Sequence, residues 1–201
     1  MADIFNGNGP MLLFSRFLRS PRTVGAFWPS SSALAKEMVA AIPQDTAETI
    51  VELGPGTGAL TSELVERLGP SARFLAVDIE PAFVESIRRR WPEVECVCAS
   101  AEHLEQLLAV RGIGPVDRVI SGLPFASLPV DMTSRILDSV GRTLRVGGTF
   151  TTFQYLHGYP MRPGRLFRKR MSERMGAPPE RRAVLKNFPA AYVLTWTKRS
   201  S

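Results

Sequence analysis

Thr49-Ile50-Val51 is a short apolar run rich in β-branched residues. Glu52-Leu53-Gly54-Pro55-Gly56-Thr57-Gly58 follows as a glycine turn, and Ala59 to Leu68 then takes up helical spacing. Strand, glycine turn and helix in that order open a parallel α/β unit, because parallel strands need a crossover, usually a helix, between them. Glycines at the mouth of such a sheet let the backbone pass close to a ligand. The next apolar run, Phe74-Leu75-Ala76-Val77, ends in Asp78, a carboxylate placed to accept both hydroxyls of a ribose. Together these features predict an adenosine-containing ligand at the edge of the sheet.

The alternation continues downstream. Strands are expected at 49–53, 73–77, 94–98, 116–120 and 147–153, and helices at 59–68, 81–90, 102–109 and 128–143. Pro81 stands where a first helical turn tolerates proline, and Gly147-Gly148 marks the turn into the fifth strand. The rhythm then breaks. Arg165 to Met175 has a basic helical pattern, and two strand-like runs, Arg181 to Lys186 and Ala191 to Lys198, are joined across Asn187-Phe188-Pro189-Ala190. A closing antiparallel hairpin on a mostly parallel sheet with helices on both faces is the expected architecture. Upstream, Met11 to Arg19 reads as an amphipathic helix, and Trp28-Pro29-Ser30-Ser31-Ser32 as a turn whose serines cap a helix through Ala41. Residues 1–201 carry no composition break, so a single domain is expected.

The net charge of +6 suits an anionic partner: a membrane surface, nucleic acid or a phosphorylated substrate. The two cysteines, Cys96 and Cys98, lie two apart in one strand-like run, too close for ordinary bridging, and are expected to be reduced core residues in a reducing compartment. No apolar run approaches the ~18 residues of a spanning helix, and the polar N-terminus makes a poor signal peptide. A cytoplasmic protein, at most peripheral on the inner face of the membrane, is expected.

Nicotinamide dinucleotides usually require glycines spaced G-x-G-x-x-G. The pattern here is G-P-G-T-G behind Glu52, and the run Glu-Leu-Gly-Pro-Gly-Thr-Gly resembles motif I of class I S-adenosylmethionine (SAM) methyltransferases. That resemblance implies a Rossmann-like, mostly parallel seven-stranded sheet and SAM as cofactor. It implies donor contacts from Ser30, Ser31, Glu52, Gly54, Gly56, Thr57 and Gly58, and places the ribose on Asp78 with Ile79 beside it. The family usually has Asp after the third strand, facing the adenine. Here Ala99-Ser100-Ala101-Glu102 stands in its place, with Ser100 or Glu102 as the substitute. After the fourth strand, Ser121-Gly122-Leu123-Pro124-Phe125 matches the proline turn by which amine-methylating members hold an amino group. Gly122 replaces the usual Asn, which leaves carbonyls and apolar surface to hold the nitrogen.

Four blocks resemble the small bacterial phospholipid N-methyltransferases, which convert phosphatidylethanolamine stepwise to phosphatidylcholine. They are Phe17 to Ala26 with Pro29-Ser30-Ser31, the Glu52 to Gly58 turn with Ala59-Leu60-Thr61, Ser121 to Phe125 with Leu128-Pro129, and Lys186 to Val193. The resemblance implies a phospholipid substrate and an anionic membrane partner, with attack on the sulfonium methyl needing alignment and no metal. Gly122 and Leu123 are the candidate acceptor turn. Phe125, Tyr155 and Tyr159 are candidates to hold a quaternary ammonium on their ring faces, against core packing as the other reading. His157 is either the acceptor of the amine proton or a structural residue. Arg16 and Arg19 on the first helix, and Arg162, Arg165, Arg168 and Lys169 on the last, are candidates for the lipid phosphate or the bilayer. The alternative is helices packed on the sheet with solvated charges.

The main rival is a ribosomal-RNA adenine N-methyltransferase. Against it stand the missing Asn of the proline turn and the absence of a helical RNA-binding domain after the last strands, so nucleic acid is the less favoured partner. A small-molecule amine methyltransferase, or a SAM-binding module without catalysis, are the further readings.

Overall fold

Seven strands, β1 (Thr49–Leu53), β2 (Arg73–Asp78), β3 (Glu95–Cys98), β4 (Val116–Ser121), β5 (Leu144–Tyr155), β6 (Glu180–Val184) and β7 (Ala191–Thr197), form one sheet in the order β3-β2-β1-β4-β5-β7-β6. The structure is a computed structural model and describes residues 32–46 and 48–200. The first five strands pair parallel with one another; β7 pairs antiparallel with both β5 and β6. The closing hairpin therefore reverses only β7. The carboxyl ends of the other six strands share one edge, and the order reverses between β1 and β4. Ligands of open α/β sheets bind at such a crevice.

The crossover segments are α1 (Ser32–Val39), α2 (Ala59–Arg67), α3 (Pro81–Arg90), a 3-10 turn (Ala101–His103) running into α4 (Leu104–Ala109), α5 (Val130–Thr143) and α6 (Arg162–Met175). Pro81 is in the first turn of α3, where its missing N–H costs nothing. One face of the sheet packs against α4, α5 and α6 through Val51, Val119, Phe150 and Leu194. The other packs against α1 and α2 through Ile50, Ile120, Ala191 and Val193. The alternation of these residues along β1, β4, β5 and β7 is the period of two that a sheet covered on both faces imposes.

Several expected boundaries move. β5 runs from Leu144 to Tyr155, longer at both ends than 147–153, because β7 extends the ladder to the pair Tyr155 and Ala191. β6 ends at Val184, two residues short of Lys186, where the chain turns through Asn187, whose side chain donates to the Pro189 carbonyl at 2.6 Å. Cys96 is buried as expected, but Cys98 is exposed: β3 is an edge strand, and Cys98 ends it beyond the apolar cover of α3. The proposed helix at 11–19, with Arg16 and Arg19, and the residues Ser30 and Ser31 lie outside the described residues.

Of the two readings of the last helix, bilayer contact or packing on the sheet, the apolar side of α6 takes the second. Phe167, Met171 and Met175 are 0–2% exposed and sit in the core with Phe150 and Trp196. The i, i+4, i+8 spacing marks an apolar face but not its partner, and here the sheet is the partner.

Candidate functional site

The glycine turn rises directly from the end of β1 and is bracketed by its neighbours. Gly54 donates its N–H to the Val77 carbonyl of β2 at 2.9 Å, and Gly122 donates to the Leu53 carbonyl of β1 at 2.9 Å. Gly54 sits at φ +73, a conformation costly for any residue with a Cβ. Across the turn, the buried Asp78 carboxylate ends β2. Its Oδ2 accepts from Gly56 N at 3.0 Å and its Oδ1 from Glu80 N at 2.9 Å. Each oxygen keeps a lone pair for one further donor, which is the demand of a vicinal diol. Burial pushes the Asp78 carboxyl up from the usual range, opposed by the N–H groups of Glu80, Gly56 and Ile79.

Glu52 lies beneath the turn with no exposed surface. Its Oε2 accepts from the Thr61 hydroxyl of α2 at 2.8 Å, and its Oε1 has no partner. Burial, partly offset by the Thr61 bond, pushes this carboxyl up to about 8. An orphaned, buried carboxylate oxygen is costly unless a ligand completes it, and a cation is the ligand it favours. A diol acceptor, a carboxyl suited to an ammonium and a bare glycine turn between them fit the ribose and amino-acid ends of SAM.

On the adenine side, Ile79 is half-buried and Ala101 buried. The Ser100 hydroxyl caps the 3-10 turn, accepting from Glu102 N at 3.3 Å. Glu102 itself is turned toward Arg135, with which it forms an ion pair. The Ser100 hydroxyl in turn donates to Glu102 Oε1 at 3.4 Å, so the two candidate adenine partners are bonded to each other. Thr57 is exposed, and its carbonyl accepts from Arg90. Gly58 is packed against Trp91, whose ring would lie 2.6 Å from a Cβ there.

The proline turn after β4 packs on the donor turn. A Cβ on Gly122 would stand 2.7 Å from the Gly54 carbonyl oxygen, and a Cβ on Gly54 would stand 2.7 Å from Leu123 Cδ2. Ser121, fully buried, accepts from Leu123 N at 3.2 Å through its hydroxyl, while its carbonyl accepts from the Thr152 hydroxyl of β5 at 3.0 Å. The Leu123 carbonyl accepts from Phe125 N, and the Pro124 carbonyl from Ser127 N and Leu128 N. Among the described residues, none donates to the Gly122 carbonyl, which is left as the turn's available acceptor. The bonds by which Thr61 and Thr152 hold Glu52 and the acceptor turn are not legible in the sequence: a threonine in a helix or strand reads as neutral.

Phe125 takes the core-packing reading. It is 5% exposed, stacked on Phe167 with centroids 4.6 Å apart and edge-on to Phe150 at 6.0 Å. Tyr159 is also committed, since the Arg168 guanidinium lies 3.6 Å over its ring. Arg168 in turn points inward, donating through Nη1 to Gln154 Oε1 at 2.7 Å and to the Tyr159 carbonyl at 2.9 Å, so it tethers α6 to the end of β5. Tyr155 is half-buried on the opposite face of the sheet, edge-on to Phe153 and stacked with the exposed His157 at 5.7 Å. Arg162, Arg165 and Lys169 are exposed.

A parallel sheet with one reversed strand beside β5, a glycine turn after β1 and a carboxylate after β2 is the architecture of the Rossmann-like methyltransferases. Residues 50–148 match the model of the methyltransferase domain family. The chain is 32% identical to an ornithine lipid N-methyltransferase of Singulisphaera acidiphila, over 69% of this chain and 74% of that protein. It is 33% identical to ribosomal RNA small subunit methyltransferase A of Thiobacillus denitrificans over 44% of this chain, and spans only 32% of that protein's length. The structure of Burkholderia thailandensis 1,6-didemethyltoxoflavin-N1-methyltransferase, with bound 1,6-didemethyltoxoflavin and S-adenosylhomocysteine, has a TM-score of 0.69 at 18% identity, covering 97% of this chain and 92% of that one; the likeness is one of fold. The chain belongs to the class I SAM-dependent methyltransferases. When bound, SAM supplies an electrophilic methyl group. Asp78, Glu52 and the Gly54 to Gly58 turn are the groups that fit it.

Proposed function

We propose that this protein methylates the amine headgroup of phosphatidylethanolamine, and its mono- and dimethyl forms, towards phosphatidylcholine. The observation that carries the reading is the rim of the carboxyl edge. Leu185 and Phe188, in the loop after β6, are 72% and 78% exposed, and Met161, between β5 and α6, is 55% exposed. Lys186, Arg162 and Arg165 are exposed among them. Large apolar side chains set among cations suit an anionic bilayer interface, into which the side chains dip while the charges stay with the headgroups. The similarity to a lipid N-methyltransferase over most of both chains supports the same substrate class. No described helix is long and apolar enough to cross a membrane, which is compatible with a peripheral attachment.

In this reading the Gly122 carbonyl accepts an N–H of the lipid amine and holds the nitrogen against the donor turn. The proline turn and Thr152 keep that carbonyl in place, so positioning supplies much of the acceleration. A second reading, methylation of an RNA base, is favoured by the shorter similarity to the ribosomal RNA methyltransferase. Radiolabelled methyl transfer from SAM, offered phosphatidylethanolamine vesicles, ornithine lipid vesicles and ribosomal RNA side by side, separates them. Label in phosphatidylethanolamine is the expected result; label in RNA alone would overturn the proposal.

A further inference from the structure

Several arginines face a carboxylate: Arg111 pairs with Glu95, Arg118 with Glu48, Arg142 with Glu105, Arg145 with Asp117 and Arg174 with Asp138. The group at the end of β5 does not. Arg168 is stacked over Tyr159, and Arg181 of β6 lies 4.7 Å over the ring of Tyr192 and 5.5 Å over that of Tyr159. Tyr159 and Tyr192 meet edge-on with centroids 4.8 Å apart. Among the described residues, Arg165, Arg168 and Arg181 have no carboxylate within ion-pairing reach. Burial holds the Arg168 guanidinium below its ordinary range, and the charges of Arg165 and Arg181 push it the same way. Like charges gathered without a counterion, two of them oriented on aromatic faces, leave an anion as the missing component.

The positive end of α6 adds to the field. Its first turn has no side-chain cap, and Gly164 is packed so tightly that a Cβ there would lie 2.8 Å from the Gly158 carbonyl and 3.5 Å from Arg168 Nη1. The location is also telling. Thr152 holds the acceptor turn, and Gln154, which holds Arg168, points to the same face of β5 two residues further on, roughly 7 Å along the strand.

We propose that Arg165, together with Arg168 and Arg181 on the Tyr159 and Tyr192 rings, forms an oxyanion site for the phosphodiester next to the amine being methylated. The ligand assignment rests on the lipid reading above; the anion site itself does not. The test uses the full chain and avoids Arg168, whose loss would loosen α6. Calorimetric titration with inorganic phosphate and with glycerophosphoethanolamine should show saturable binding of both, weakened at least about tenfold by the double variant Arg165→Gln, Arg181→Gln, with SAM affinity unchanged. On phosphatidylethanolamine vesicles the double variant should raise KM more than it lowers kcat, and should lose more there than on phosphate-free ornithine lipid. Absent binding of either phosphate compound, or equal binding by the double variant, would overturn the site. Saturable phosphate binding with no methyl transfer to phosphatidylethanolamine would leave the oxyanion site standing and remove the lipid assignment.

Discussion

Gly122 and Gly54 meet backbone to backbone: the position of a Cβ on Gly122 is 2.7 Å from the Gly54 carbonyl oxygen. The acceptor turn and the donor turn are thus pressed together at the point where β1 and β4 part. Replacing Gly122 by Ala must push them apart, at a cost of about 1–3 kcal/mol for a tightly packed site. Methyl transfer should fall more than thermal stability does. Gly122→Asn, which restores the residue common in related turns, should not raise activity; a gain in turnover measured with labelled SAM would show that the turn has room for the side chain.

Asp78 offers one lone pair on each carboxylate oxygen to a ribose. Asp78→Ala removes both acceptors and leaves Gly56 N and Glu80 N without the partner they have here. SAM affinity measured by calorimetry should drop by about two orders of magnitude, near 2.7 kcal/mol. Unchanged affinity would contradict the ribose assignment.

Glu52 predicts a pH dependence. Its carboxyl is raised to about 8 in the folded protein from an ordinary 4.5. A folded state that holds the proton more tightly is favoured while the proton is present. The contribution is complete below about pH 4.5 and declines as pH rises through about 8. Urea denaturation of the ligand-free protein across that window should show stability falling with pH, and Glu52→Gln should flatten that part of the profile.

Arg168 and Lys169 are neighbours on α6 with different tasks. Arg168 makes charge-assisted bonds to Gln154 and to the Tyr159 carbonyl, whereas Lys169 is 74% exposed and reaches Glu173 only at 3.9 Å. Arg168→Ala should cost about 1.5–3 kcal/mol of unfolding free energy. Lys169→Ala should fall within about 0.5 kcal/mol of the parent.

For membrane attachment, Leu185→Glu places a charge at the apolar rim of the site. It should reduce sedimentation with anionic vesicles at low salt and leave SAM binding intact. Vesicle binding that resists both this change and added salt would speak against the proposed interface.

The fold was readable largely because its signals are local. The strand runs at Thr49, Phe74 and Val116, the proline at the start of α3 and the glycine turn each announce themselves within a few residues. The hairpin near Asn187 was legible for the same reason, while the full length of β5 was not, since its ends are decided by pairing with a strand far along the chain. Asp78 and Glu52 were found because position relative to a strand end carries their role. Thr61, Thr152 and Arg181 have no such marker; they matter through what they touch.

Residue order alone was enough to establish the alternating sheet, the donor turn and the carboxylate after β2, since backbone period and glycine geometry act over short stretches. The direction of the long side chains had to wait for the packed molecule. Phe125 joined Phe150 and Phe167 in the core, the apolar stripe of α6 closed onto the sheet, and Arg168 turned in over Tyr159. An amphipathic pattern states which face must leave water but not what will cover it, and a stacked arginine requires two distant segments to be brought together first.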